Sequence, residues 1–228
     1  MNTDLIKERF DEIAKDYDAQ RKMFIPCFDD YYSTMVDFIA RSFQRPERIV
    51  DLGAGTGLLT KFFYDRYPEA RYTLIDISEQ MLAVARKRFE GIAAFEYVVT
   101  DYTKGLALDS PDLILSGLSI HHLTDSDKRR LYENIYASLP ANGLFINFDQ
   151  FNAESDAVNE LYTAYWINQI RNSGLPEGEY EKWLGRRELD RENTIDQTKD
   201  MLKSAGFSVV ECVYSYMKFG VIVAWKKG

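Results

Sequence analysis

The chain has 228 residues, 46% of them hydrophobic and 14% aromatic, enough apolar material for one packed α/β domain and too much for a disordered chain. Its net charge of −8 argues against a nucleic-acid substrate, which calls for a basic face. The short runs Arg86-Lys87-Arg88 and Lys128-Arg129-Arg130 fall on expected helices and read as solvated surface. Cys27 and Cys212 stand far apart without metal-ligand spacing, so free thiols and no metal are expected. The first twenty residues lack an apolar core for a signal peptide and no run of eighteen apolar residues occurs, which points to a cytoplasmic protein without a membrane segment.

Taken in chain order, Leu5, Ile6, Phe10, Ile13 and Tyr17 recur at steps of three and four and predict an amphipathic helix over 3–18, opened by Thr3. A second helix is expected over 29–43, with Val36, Ile39, Ala40 and Phe43 inward, and it ends at Gln44-Arg45-Pro46 because the residue before proline disfavours helix. Strands follow at 48–51, 72–76 and 95–101, alternating with helices near 57–66 and 79–90. Ser78 caps the latter and Gly91 stops it. Asp112 to Ser116 is a short apolar run of the kind buried in parallel sheets, Thr124 caps a helix carrying Leu131, Ile135 and Leu139, and a turn at 140–143 leads into a strand at 144–149. Residues 150–203 break the alternation with helical sequence, and 207–215 with 219–225 read as a closing hairpin. The order implies a doubly wound, Rossmann-like α/β sheet of seven strands with helices on both faces and an antiparallel hairpin at its end. Within this single domain, 1–45 forms an N-terminal helical cap, 46–149 a cofactor-binding core, 150–203 a helical insertion or lid, and 204–228 the terminal hairpin.

Asp51, Asp76 and Asp101 close the first three strands at steps of 25 residues, about the length of one strand, one helix and two turns. They place three carboxylates at the carboxyl ends of parallel strands, where open α/β sheets bind ligands. After Asp51 comes Gly53-Ala54-Gly55-Thr56-Gly57. A dinucleotide fingerprint would need glycine or alanine at the position held by Leu58, and no phosphate-loop lysine is present. A carboxylate before the first glycine repels a pyrophosphate and suits an ammonium group, with glycines permitting close backbone approach. The ligand expected here is a nucleoside with a positive tail.

At these residues the chain resembles the class I S-adenosylmethionine-dependent methyltransferases, small-molecule type. Val50-Asp51-Leu52-Gly53-Ala54-Gly55-Thr56-Gly57 is similar to their first motif, Asp76 and Ile77 to their ribose-binding strand end, Asp101-Tyr102 to their adenine contact, and the stretch from Asp112 through Ser116 to Leu123 to their strand-four motif. Phe10-Asp11-Glu12-Ile13-Ala14-Lys15-Asp16-Tyr17-Asp18 and Leu202-Lys203-Ser204-Ala205-Gly206-Phe207 also recur there, so the likeness spans nearly the whole chain. It implies S-adenosyl-L-methionine as cofactor and S-adenosyl-L-homocysteine as product. The cofactor contacts expected with it are Asp51, Gly53, Ala54, Gly55, Gly57, Asp76, Ile77, Asp101, Tyr102 and Ser116, with Met81 either in the core or against the adenine, joined by Tyr17 and by Arg21, which either pairs with the methionine carboxylate or is an ordinary surface charge.

Methyl transfer from a sulfonium needs alignment and desolvation more than a base. His121 and His122, just past the fourth strand, are the candidate catalytic residues, since histidine titrates near neutrality; the alternative is that they cap the following turn. Asp149 either orients a substrate or closes its strand. Tyr31, Tyr162, Trp166 and Arg187 are the candidate substrate contacts from the cap and lid, although Tyr162 and Trp166 also sit at helical spacing typical of core packing. A second reading is a carboxy-S-adenosylmethionine synthase, similar in the helical insertion, in Arg186-Arg187-Glu188-Leu189-Asp190 and in the tail, where the resemblance implies that Arg186 or Arg187 holds the extra carboxylate. Against it, Ser116 stands where that family carries asparagine. A third is a non-catalytic S-adenosylmethionine-binding protein. The partner expected is a small molecule, with neither nucleic acid nor membrane, and the chain is expected as a monomer or homodimer.

Overall fold

The computed structural model describes residues 3–14, 17–43, 45–105 and 108–228. Seven strands form one sheet in the order β3-β2-β1-β4-β5-β7-β6, with β1 Arg48–Leu52, β2 Arg71–Asp76, β3 Phe95–Val99, β4 Leu113–Gly117, β5 Leu144–Gln150, β6 Val209–Tyr216 and β7 Phe219–Trp225. The first five run parallel, and β7 lies antiparallel between β5 and β6. The expected sheet and its closing hairpin are therefore present. Successive side chains of a strand point to opposite faces, and β4 shows the consequence: Leu113 and Leu115 enter one core while Ile114 enters the other. Both faces are apolar because both are covered by helices.

The helices are α1 Thr3–Ile13, α2 Tyr17–Phe24, α3 Met35–Ser42, α4 Leu58–Tyr64, α5 Glu79–Arg88, α6 Asp125–Ser138, α7 Asp156–Arg171, α8 Glu177–Arg187 and α9 Ile195–Ser204. The helix expected over 3–18 is represented by α1 and the start of α2; Lys15 and Asp16 lie outside the described residues, as does Gln44 of the expected stop before Pro46. A π-helical turn at Asp30–Thr34 precedes α3, with the adjacent Tyr31 and Tyr32 both buried. The helix after the glycine loop starts at Leu58 because Gly57 adopts φ 73°, outside the helical region. Strand β3 stops at Val99, short of Asp101, because the Asp101 carboxylate accepts from the Thr103 amide at 3.0 Å and turns the chain. Ser78 and Thr124 cap α5 and α6 as expected.

The segment 150–203 divides. Trp166 and Ile170 of α7 and Tyr180 and Trp183 of α8 pack into the core that holds Phe24 and Tyr31. Helix α9, opened by a Thr194–Gln197 capping box, lays Met201 and Leu202 on the opposite face with α6. Among the described residues no helix is long and apolar enough to cross a membrane.

Candidate functional site

Strand order reverses about β1, whose neighbours β2 and β4 lead the chain away in opposite directions, and a cavity opens over the carboxyl ends at that point. Asp51, Gly53, Ala54, Gly55, Asp76, Ile77, Met81, Asp101 and Tyr102 all line it, so the three spaced carboxylates and the glycine loop converge on one space. Ile6 and Phe10 of α1, Tyr32, Thr56 and Gly117-Leu118-Ser119 complete the wall. Leu118 sits at φ 53°, uncommon for a non-glycine residue. Its place just past β4 was the available signal, since a chain leaving a strand at the switch point must face the cleft.

The glycines have separate duties. A Cβ on Gly53 would fall 2.0 Å from Ser119 Oγ, and one on Gly57 would fall 2.8 Å from the Phe89 ring, so both permit close packing. A Cβ on Gly55 would meet nothing within 4 Å, which leaves an open cradle at φ 56°. Gly57 accordingly braces the loop from outside the cavity lining.

Asp51 is buried. Its Oδ2 accepts from the Thr60 hydroxyl at 2.5 Å, but Oδ1 has no partner among the described residues. Burial pushes its carboxyl up to about 6. Asp76 accepts the Gly55 amide on Oδ2 and the Ser78 amide on Oδ1, each at 2.8 Å, which fixes its orientation; burial still outweighs these bonds and pushes it up to about 6. Both carboxyls therefore lose stabilisation of the folded state as pH rises through about 6, the mark of sites awaiting a cationic or hydrogen-bonding ligand. The N-terminal helices lean on the same rim. Asp11 accepts from Ser78 Oγ at 2.5 Å, and Asp18 accepts from Thr56 Oγ1 at 2.6 Å and pairs with Arg88. Tyr17 lines the cavity, whereas Arg21 stacks behind it, Cζ 3.8 Å above the Tyr17 ring.

Several expected contacts lie elsewhere. Ser116 is fully buried and donates to the Leu52 carbonyl at 2.9 Å, tying β4 to β1 below the cavity. Tyr31 faces Phe148 and Phe219 in the core, and its neighbour Tyr32 reaches the cavity instead. Trp166 donates from Nε1 to the Phe24 carbonyl at 2.6 Å and packs on Trp183 and Phe219, so it holds α7 to the body. Tyr162, half-buried on α7, does not reach the lining. Arg187 is engaged by Asp190 at 3.5 Å and Glu192 at 3.4 Å and lies over Trp166.

The two histidines separate. His121 Nδ1 contacts Asp149 Oδ1 at 2.5 Å and its Nε2 lies 3.4 Å from Asp190, so neither nitrogen faces the cavity. Burial alone would discharge this ring, but the two carboxylates raise it to about 10 and hold it as an imidazolium. His122 borders the cavity beside Phe10, its Nδ1 3.2 Å from Asp190; burial and the His121 charge lower its pKa, leaving it neutral. His121, His122 and Asp190 bring one donor atom each within 4.8 Å of one another, a spacing a metal ion could span. Asp190 is the site residue sequence reasoning left without a role. It reaches the histidines only through the return of the chain after α8.

With this geometry in place, comparison assigns the class. Residues 49–143 match a family model described as a methyltransferase domain. Over this stretch, which holds the glycine loop and all three aspartates, the chain is similar to S-adenosylmethionine-dependent methyltransferases. It is 21% identical over 222 residues to a carboxy-S-adenosyl-L-methionine synthase of Nautilia profundicola, covering 95% of this chain and 93% of the relative. It is 32% identical over 125 residues to a malonyl-[acyl-carrier protein] O-methyltransferase of Acetivibrio thermocellus, covering 53% of this chain and 41% of that one. The solved structure of a putative O-methyltransferase from Nostoc punctiforme superposes with a TM-score of 0.68 at 20% identity; the match covers 95% of this chain and 60% of that protein, and it shows the fold.

The His121 imidazolium joins β5 to the turn after α8. Asp149→Asn leaves that charge buried with one partner fewer, and urea unfolding at pH 7.5 is expected to show a loss of about 3–5 kcal/mol.

Proposed function

We propose that this protein transfers the methyl group of S-adenosylmethionine to a small-molecule acceptor by in-line displacement. The observation that carries the reading is the partnerless buried Oδ1 of Asp51 beside the open cradle at Gly55. An ammonium group matches that oxygen in charge and hydrogen-bonding capacity. In this reading Asp51 takes the ammonium end of the methionine moiety, and Gly53, Ala54 and Gly55 admit it closely. Asp76, held in orientation by two amides, keeps lone pairs for the ribose hydroxyls. Ile77, Met81, Asp101 and Tyr102 form the adenine end. When bound, the cofactor supplies a methyl group already activated on a sulfonium. The protein's own tasks are then to align the acceptor and exclude water. Ile6, Phe10, Tyr17 and Tyr32 provide an apolar wall for this. His122, neutral and bordering the cavity, is the group placed to take a proton from an acceptor hydroxyl, amine or thiol. Catalysis occurs in the cytoplasm in this reading.

A second reading, synthesis of a carboxylated form of the cofactor, is favoured by one specific observation: carboxy-S-adenosyl-L-methionine synthases match over 95% of this chain and over 93% of the relative's own length. Incubation of donor labelled in the methyl group with candidate acceptors, and separately with prephenate as the source of a carboxyl group, separates the two. Label in an acceptor supports methyl transfer, whereas label retained in a heavier, more acidic donor supports the second.

Two variants test the roles. Asp76→Ala is expected to weaken S-adenosylhomocysteine binding by about 1–3 kcal/mol in calorimetric titration through lost charge-assisted hydrogen bonds. An unchanged affinity in a folded variant removes Asp76 from the cofactor site. His122→Ala should lower kcat by roughly 10²–10⁴-fold while cofactor affinity stays near wild type, and unimpaired turnover assigns His122 to packing.

A further inference from the structure

Two imidazole rings and a carboxylate converge in the wall of the cavity. His121 and His122 follow β4 in a short turn, and Asp190 reaches them from the chain after α8; together they are the one cluster of this kind among the described residues. His121 Nε2 lies 3.4 Å and His122 Nδ1 lies 3.2 Å from the same oxygen, Asp190 Oδ1. The other oxygen, Oδ2, faces Arg187 at 3.5 Å, so Oδ1 is the one left to the rings. A charge-assisted hydrogen bond closes to about 2.7–2.9 Å, and neither contact does. His122 Nδ1 is buried without a hydrogen-bond partner even with this oxygen alongside. The opposite nitrogen of His121 shows the contrast, since Nδ1 stands 2.5 Å from Asp149 Oδ1.

This spacing fits a shared ion better than shared protons. Zinc holds imidazole nitrogens at about 2.0–2.1 Å and carboxylate oxygens at about 2.0–2.2 Å, and a tetrahedron with such bonds has edges of about 3.3–3.5 Å. Both N–O distances lie close to that edge. Two imidazoles and a carboxylate suit a divalent transition metal, whereas magnesium and calcium take shells of oxygen. Asp149 gives the outer support that such sites carry. It takes the Nδ1 side of His121 and so turns Nε2 toward Asp190, and its Oδ2 is itself fixed by the His121 amide at 3.1 Å. Cysteine spacing gave no hint of this site, because its ligands are a histidine pair and an acid brought in from a distant turn.

We infer that His121 Nε2, His122 Nδ1 and Asp190 Oδ1 form a zinc-type metal site, with water completing the coordination. The ion takes the place of the proton on His121 Nε2, which passes to solvent. Three protein ligands and one exchangeable position are the pattern of catalytic zinc, and His122 of the three borders the cavity. The site stands on its own geometry and goes beyond the methyl-transfer reading above. With the ion bound, His122 serves as a ligand, and hydroxide on the metal takes over the proton-accepting role assigned to the ring. His122→Ala lowers turnover in both cases, so the discriminating readout is the ion itself.

The test is titration of the chelator-treated protein with zinc chloride against a chromophoric zinc chelator, with cobalt(II) chloride loaded in parallel. About one zinc ion should bind per chain, and cobalt(II) should give the intense visible absorption of a four-coordinate site. His122→Gln and Asp190→Asn should each weaken zinc by more than about 100-fold, and excess magnesium chloride should not displace it. Three results overturn the inference: no stoichiometric zinc binding by the wild-type protein, a weak six-coordinate cobalt spectrum, or a zinc affinity that either variant retains. If a variant does not fold, the cobalt spectrum of the wild-type protein still decides, because surface carboxylates give only the six-coordinate form. Calorimetric titration of the metal-depleted protein with S-adenosylhomocysteine tests the cofactor reading separately, and its failure leaves the zinc result standing.

Discussion

The buried carboxylate of Asp51 is the constraint around which the site is organised. Parallel strands that leave β1 in opposite directions create a cleft, and Asp51, one residue before the end of β1, lines it. Placing an acid there removes it from water, and the fold compensates only one of its oxygens, through Thr60. Asp76, also desolvated, is steadied by the Gly55 amide, so the glycine loop and the second carboxylate hold each other in place. A positive, hydroxyl-bearing ligand relieves what folding leaves uncompensated. The affinity of the site for such a ligand and the cost of burying its carboxylates are thus one electrostatic quantity seen from two sides.

A second buried charge gives the upper wall its rigidity. The His121 imidazolium lies between Asp149 of β5 and Asp190 after α8, and Asp190 in turn meets Arg187. Glu192 extends the network to Lys218, itself fully buried. The connection between α8 and α9 is therefore pinned to the strand ends by ionic contacts as well as by apolar packing. One consequence is a division of labour between neighbours in sequence. His121 is spent on holding the wall, which leaves His122 uncharged at the cavity.

The seven strands with their closing hairpin, the glycine loop and the three aspartates were legible in the sequence because each is written locally: an apolar run, a turn, and an acid at a fixed step. Which of two adjacent residues faces the ligand was not. Tyr31 and Tyr32, like His121 and His122, differ by a rotation that only distant partners decide. For the tyrosines these are Phe148 and Phe219, and for the histidines Asp149 and Asp190. The aromatic residues of α7 read equally well as a substrate wall or as core, and Trp166 proved to be core because its indole N–H is claimed by the Phe24 carbonyl.

The most direct test of the central claim is the number of protons exchanged when S-adenosylhomocysteine binds, obtained calorimetrically at pH 6 in buffers of different ionisation enthalpy. Burial raises Asp51 and Asp76 to about 6, and a bound ammonium group favours their ionised forms. The account predicts net proton release on the order of half a proton to one proton per ligand, fading by pH 8. Binding with no proton exchange, or with uptake, would contradict it.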